Sequence, residues 1–212
     1  MYSKLVGVIS IRGGSERFLF DVFSELSIIC EKIIVNDKYN LLSDFDNKIL
    51  VEMFDADVYK SGVVDLSIYG PEWVLTLYDD ETVSKQFRYM KDSLCCNEYV
   101  NIWKARILNL WNDDKHYRED KLWGEQTLPI MYKWIPEINY KFKKGDLVPY
   151  NQPGTAENCG VPIISYRHLT SEQRAKLYKE YLEEKEKLNY VTKLHYQSLI
   201  DKQGITLKKL VD

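Results

Sequence analysis

The sequence predicts an α/β fold: a central mixed, mostly parallel sheet flanked by helices, with a helical C-terminal tail. Three observations carry this reading. Residues 4–11 (KLVGVISI) and 31–35 (EKIIV) are short β-branched runs, separated by a stretch with helical spacing. Trp73–Tyr78 (WVLTLY) is another such run, and it passes directly into Asp79-Asp80-Glu81. From Thr170 onward the chain is rich in strong helix formers.

In chain order, the first run ends at the flexible turn Arg12-Gly13-Gly14. Ser15 is placed to cap the next element. Phe18, Leu19, Val22, Phe23 and Leu26 recur on one helix face, so residues 16–29 are expected to be an amphipathic helix. The second run ends at Asn36-Asp37 and completes a βαβ unit. Residues 48–54 (KILVEMF) read as a third strand, and residues 57–69 as holding a short helix that Gly70-Pro71 breaks. After Trp73–Tyr78, residues 82–92 read as helix. Residues 97–142 are expected to mix short strands and helices among many aromatics, and residues 143–160 to form a loop. Residues 161–166 read as a late strand. Thr170 and Gln173 form a capping-box pattern for a helix over 171–188.

A length of 212 residues suits one domain with an appendage. The net charge of −3 gives no electrostatic footprint for nucleic acid, so no nucleic-acid partner is expected. The four cysteines, with Cys95 and Cys96 adjacent, match neither a zinc pattern nor a disulfide framework. Reduced thiols and a cytoplasmic location are the expectation. No stretch approaches the roughly 20 apolar residues that span a bilayer, so no membrane anchor is expected in this chain.

In such sheets, ligands bind beyond the carboxyl ends of the strands. The polar residues there are Ser10, Arg12, Asn36, Asp37, Asp79 and Asp80. A carboxylate at a rigid strand end can hold a divalent cation against a diphosphate, offsetting the charge of a leaving group. Taken alone, Asp79-Asp80-Glu81 more often marks a solvated turn or a helix cap. Asp37 reads equally as a turn former. Arg12 reads equally as a phosphate-binding group or as half of a surface ion pair.

Residues 72–81 (EWVLTLYDDE) resemble the strand of GT-A glycosyltransferases, family-2-like ones above all, whose aspartate-any-aspartate motif holds the donor's metal ion. The resemblance places Asp80 at the metal-binding aspartate and Tyr78 where the first aspartate usually stands. Asp79 would then assist at the nucleotide-sugar. KLVGVISIRGGSE resembles the first strand and loop, in which Ser10, Ile11 and Arg12 would cradle the nucleotide. EKIIVND resembles the second strand, with Asp37 accepting a hydrogen bond from the base. The usual D-G-S-T-D continuation is replaced by Lys38-Tyr39-Asn40.

Residues 116–126 (HYREDKLWGEQ) resemble the acceptor side, where Glu125, ahead of Asp120, would be the catalytic base. Trp123 there suits a sugar face or the core. In residues 163–168 (IISYRH), His168 would complete the metal shell or cap the last helix. The resemblance thus implies a single GT-A domain over 1–170, with a donor half at about 1–95 and an acceptor half at about 96–170. Residues 171–212 would be a helical segment, possible as a linker to a further domain of the same polypeptide.

It also implies manganese (or magnesium), a UDP-sugar donor, and a glycan or glycoprotein acceptor. The overall look resembles glycosyltransferase domains of large algal DNA viruses that decorate their own capsid glycans, which would act in the host cytoplasm. Two other readings stay open. A sugar-1-phosphate nucleotidyltransferase shares the sheet, but this first loop lacks a long Gly-rich stretch. A non-catalytic binding module would need none of the chemistry.

Overall fold

The computed structural model describes residues 4–13, 16–60, 64–120, 123–124, 126–142, 147–184, 188–200 and 204–210. The chain is α/β, a mixed sheet flanked by helices. Strands β1 (Leu5–Ser10), β2 (Lys32–Asn36), β3 (Asp57–Tyr59) and β4 (Trp73–Tyr78) run parallel in the order β3-β2-β1-β4. Their near-continuous apolar sequence follows from burial on both faces. Leu5 and Ile9 of β1 join one core with Ile33, Val35, Trp73, Leu75 and Leu77, while Val6 and Val8 join the other with Ile34, Val74 and Tyr132. Gly7 faces the end of the first helix, where a Cβ would meet Cys30 Sγ at 3.0 Å.

Helix α1 (Glu16–Ile29) lays Leu19, Val22, Phe23 and Leu26 on the first core, as the spacing predicts. Burying each such large side chain contributes about 1.5–3 kcal/mol. Residues 48–54 are not a strand: they belong to α2 (Asp44–Phe54). The reason is local. Ser43 caps the helix, and Asp46 returns the hydrogen bond to the Ser43 backbone, satisfying two helix-end donors. Only Leu50 of this helix is buried, so no sheet claims its apolar residues. Residues 57–69 hold β3 and then the short 3-10 turn Leu66–Tyr69, closed by Gly70 at φ 53°.

The expected helix over 82–92 begins late. Residues Glu81–Val83 form β5, and α3 (Gln86–Cys95) follows. Among the described residues of 97–142 there is no helix. A twelve-residue strand, β6 (Val100–Trp111), is followed by β7 (Asp113–Arg118) and β8 (Thr127–Lys133). β8 pairs antiparallel with both β4 and β6. The β6–β8 register slips between Trp103 and Lys104, beside Pro129, whose missing N–H suits a bulge. Within the expected loop of 143–160, β9 (Thr155–Asn158) pairs with β6.

Strand β10 (Ile163–Ser165) joins β5 to β6. It runs antiparallel to β5, with Ser165 opposite Glu81, and parallel to β6, with Ser165 opposite Asn109. The expected box at Thr170 and Gln173 is made in both directions and starts α4 (Ser171–Glu184). Helix α5 (Tyr190–Gln197) comes next. Strand β11 (Leu207–Lys209) then pairs with β7. No helix among the described residues is long and apolar enough to cross a membrane.

Candidate functional site

The carboxyl ends of β1 and β4 lie side by side, because Ser10 is in register with Tyr78. The backbones just beyond them interlock. Asp79 is buried, and its carboxylate accepts from Arg12 N and Gly13 N at 3.3 Å each. The first loop is thus fastened to the end of β4, which brings the Arg12 side chain over the acidic turn.

The Arg12 guanidinium donates through Nε to Asp80 Oδ2 at 3.1 Å and through Nη2 to Asp80 Oδ1, a two-pronged pairing. Nη2 also reaches Glu81 Oε1 at 3.4 Å, and the guanidinium carbon lies 3.7 Å from the Tyr78 ring centre. Tyr78 therefore serves as a platform for this cation. Burial pulls the Arg12 pKa down, but Asp80 and Glu81 outweigh it and hold it above its usual value. The Glu81 carboxyl is pushed up by burial, against the pull of Arg12 and with the neighbouring Asp80 charge adding to the rise. Its other oxygen accepts from Tyr78 N at 3.1 Å.

β10 delivers the second half of the site. Tyr166 N donates to Asp80 O at 2.8 Å, so Arg167 and His168 come directly beside the acidic turn. Arg167 makes no hydrogen bond or ion pair through its guanidinium among the described residues, and burial followed by repulsion from Arg12 lowers its pKa. His168 is buried, with Nδ1 at 3.0 Å from Asn109 Oδ1 and its ring against Trp111 and Trp123. Burial, then the charges of Arg167, His195, Arg12 and Arg174, hold its pKa well below 6.5, so it is neutral at pH 7.

Two cavities meet here. The first, about 110 Å³, is lined by Arg12, Gly13, Asp80 and Arg167, with Gln173, Lys176 and Glu180 from α4. The second, about 330 Å³, is shared by Arg12, Glu81, Asn109, Gln126, Arg167 and His168, with Thr192, His195 and Tyr196 from α5 among its walls. Ser10 Oγ and Asn109 Nδ2 are buried with no hydrogen-bond partner among the described residues.

The expected residues divide accordingly. Arg12, Asp79 and Asp80 converge, with Ser10 and Ile11 leading into them. Ile11 is buried and bonds through its N–H to Asn36 O. Asp37 is fully buried, and its carboxylate accepts from Leu41 N at 2.8 Å and Leu42 N at 3.2 Å; it lines neither cavity. Asp120 also lies away from both cavities, paired with the Arg118 guanidinium. Glu125 falls outside the described residues. Trp123 is 1% exposed and belongs to the core, with Nε1 donating to Ser198 Oγ at 3.0 Å.

Arg167 and Asn109 are site residues that the sequence does not single out, whereas Lys176 belongs to the Arg174, Lys176, Tyr178 and Tyr181 set that the resemblance to the family's last helix picks out. Arg167 carries a signal all the same, since it adjoins His168 in the same strand-ending run. Lys176 depends on how α4 docks.

For a manganese or magnesium ion, the carboxylate oxygens of Asp79, Asp80 and Glu81 are the right hard donors. Among the described residues, however, no three His, Cys, Asp or Glu side chains gather to hold an ion by themselves. Asp80 lines the first cavity and His168 the second. The Asp79 and Asp80 oxygens are engaged by Arg12 and by backbone N–H groups, so a cation here would have to take Asp80 from Arg12 and draw its other ligands from a bound phosphate and water.

No protein-family model matches the chain, and no curated protein matches it in sequence. Among solved structures it is similar to S. aureus TarS, with a TM-score of 0.38 and 12% identity over 50% of this chain and 22% of that one. A structure of S. aureus TarS 1-349 gives 0.34 and 13%, over 63% and 47%. Mannose-1-phosphate geranyltransferase from Thermus thermophilus gives 0.35 and 10%, over 92% and 67%. The chain spans less than half the length of either TarS chain.

Proposed function

We propose that the chain is a glycosyltransferase that moves a hexose or deoxyhexose from a UDP-sugar to a hydroxyl of a glycan or glycoprotein. One observation carries this reading. Arg12 and Arg167 stand together at the carboxyl edge of parallel strands, around the buried Asp80 carboxylate, where two cavities meet. Paired guanidiniums suit a diphosphate, whose charge grows as its bond to the sugar breaks. Asp80 would hold a manganese or magnesium ion, which supplies further positive charge to that leaving group.

The acceptor hydroxyl must lose a proton as it attacks. The second cavity offers Glu81 and the neutral His168 imidazole as acceptors. Glu125 remains a third candidate and directly precedes Gln126, which lines that cavity. Asp37 would act indirectly, by holding the loop after β2 through its two backbone bonds.

The test is calorimetric titration of UDP, GDP and CMP, each with and without manganese, on the wild type and on Asp80→Ala. UDP is expected to bind tightest with manganese, and Asp80→Ala to remove the manganese dependence. If no nucleotide binds in any arm, the reading fails.

A further inference from the structure

We infer that the first cavity holds a diphosphate without a metal ion, with Arg167 as its principal ligand and Arg12 and Lys176 beside it. The inference rests on the nucleotide-diphosphate reading above for the class of anion, and parts from it over the need for an ion.

The carboxylates of the turn after β4 are already committed. Asp79 accepts from Arg12 N and Gly13 N, and both Asp80 oxygens accept from one guanidinium. A manganese or magnesium ion asks for several open oxygen ligands, and no such cluster of side chains forms among the described residues. Arg12, Arg167 and Lys176 around the same cavity repel a second positive charge. The lining suits an anion instead.

Arg12 is held ready for one. Nε and Nη2 are spent on Asp80, Nη2 also reaches Glu81, and the Tyr78 ring lies 3.7 Å from the guanidinium carbon. Nη1 is left with no hydrogen bond among the described residues. A guanidinium fixed in this way loses little further freedom when it binds.

Arg167 is the unbalanced charge. Its guanidinium makes no hydrogen bond or ion pair among the described residues, and it stands close enough to Arg12 to be disfavoured by that charge. Lys176 enters from α4, with Glu180 one turn further along the same wall. The lining thus sets three cations against the carboxylates of Asp80 and Glu180, and Asp80 is already paired with Arg12. A diphosphate supplies the partner that Arg167 lacks and relieves its repulsion from Arg12. Its paired oxygens match the fork of a guanidinium. Arg12 and Arg167 also line the second cavity, so an anion held between them lies where the two cavities join.

The experiment is calorimetric titration of the full chain with inorganic diphosphate and with UDP, in buffer stripped of metal over a chelating resin and again with manganese. Wild type is expected to bind both anions in the stripped buffer. Arg167→Gln is expected to lose about 10–100-fold in affinity there, because it removes a charged donor with no other task. Arg167→Lys keeps the charge without the fork and is expected to recover part of that loss. Lys176→Gln, at an exposed position, is expected to lose about two- to fivefold. Lys48→Gln on α2, whose side chain is 68% exposed and lines neither cavity, is expected to bind as wild type does.

The inference is overturned if wild type binds these anions only when manganese is present. It is also overturned if folded Arg167→Gln binds diphosphate in stripped buffer as tightly as wild type. The two readings fail separately. Metal-free binding of diphosphate with no preference for UDP sinks the nucleotide reading and keeps the inference. Tight UDP binding that requires manganese does the reverse.

Discussion

Asp120→Asn should cost stability rather than chemistry. Asp120 accepts from Arg118 Nε, and the Arg118 side chain is 4% exposed against 16% for Asp120. Removing one member of a buried pair costs about 3–5 kcal/mol, because the other charge is left buried. Arg118 keeps other support here. Nη1 donates to Ser198 O at 2.7 Å, and the guanidinium lies 4.6 Å from the Trp111 ring and 5.1 Å from the Trp123 ring. An asparagine carbonyl also still accepts a hydrogen bond. The loss is therefore placed at about 2–3 kcal/mol.

In a chain of this size each kcal/mol moves the midpoint by about 2–4 °C, so the melt should fall by about 4–12 °C. Thermal and urea melts of Asp120→Asn and of Arg118→Met/Asp120→Asn measure it. The double variant should recover part of the loss, since the stranded charge is gone. If Asp120→Asn melts like the wild type while turnover falls about a hundredfold, Asp120 is the base and the reasoning is wrong.

Two further expectations concern pH. Burial raises the Glu81 pKa in the folded protein above 4.5, so the folded state holds the proton longer than the unfolded chain. Stability from this group is full below 4.5 and is lost as pH rises through the folded value. Urea midpoints of Glu81→Gln should exceed those of wild type at neutral pH, and a lower midpoint there would refute it. His168 has the opposite sign. Its folded pKa lies well below 6.5, so stability present above 6.5 drains away as pH falls below it. Urea melts across this range should steepen for wild type relative to His168→Asn, and parallel curves would count against a neutral buried imidazole.

What the sequence revealed was local. Trp73–Tyr78 was readable to the residue, because a parallel strand buried on both faces must be continuously apolar. The box at Thr170 and Gln173 was readable because its partners are three residues apart. β5 and β9 were not, since each exists only through pairing with a distant strand. KILVEMF misled because its apolar residues lie mostly at the surface, where the Ser43 cap decides.

The site divides in the same way. Asp79, Asp80 and Arg12 could be named from the strand ends, but the ion pair joining Arg12 to Asp80 spans 68 residues of sequence. The walls supplied by α4 and α5 follow from docking, which amphipathic spacing does not specify.

The docking of the tail sets how the site is walled. α4 and α5 leave the sheet at β10 and return to it at β11, with Arg118 bonded to Ser198 O near the close of α5. A cover anchored at both ends is a handle, not a flap. Its attachments at both sides fix where α4 and α5 wall the two cavities.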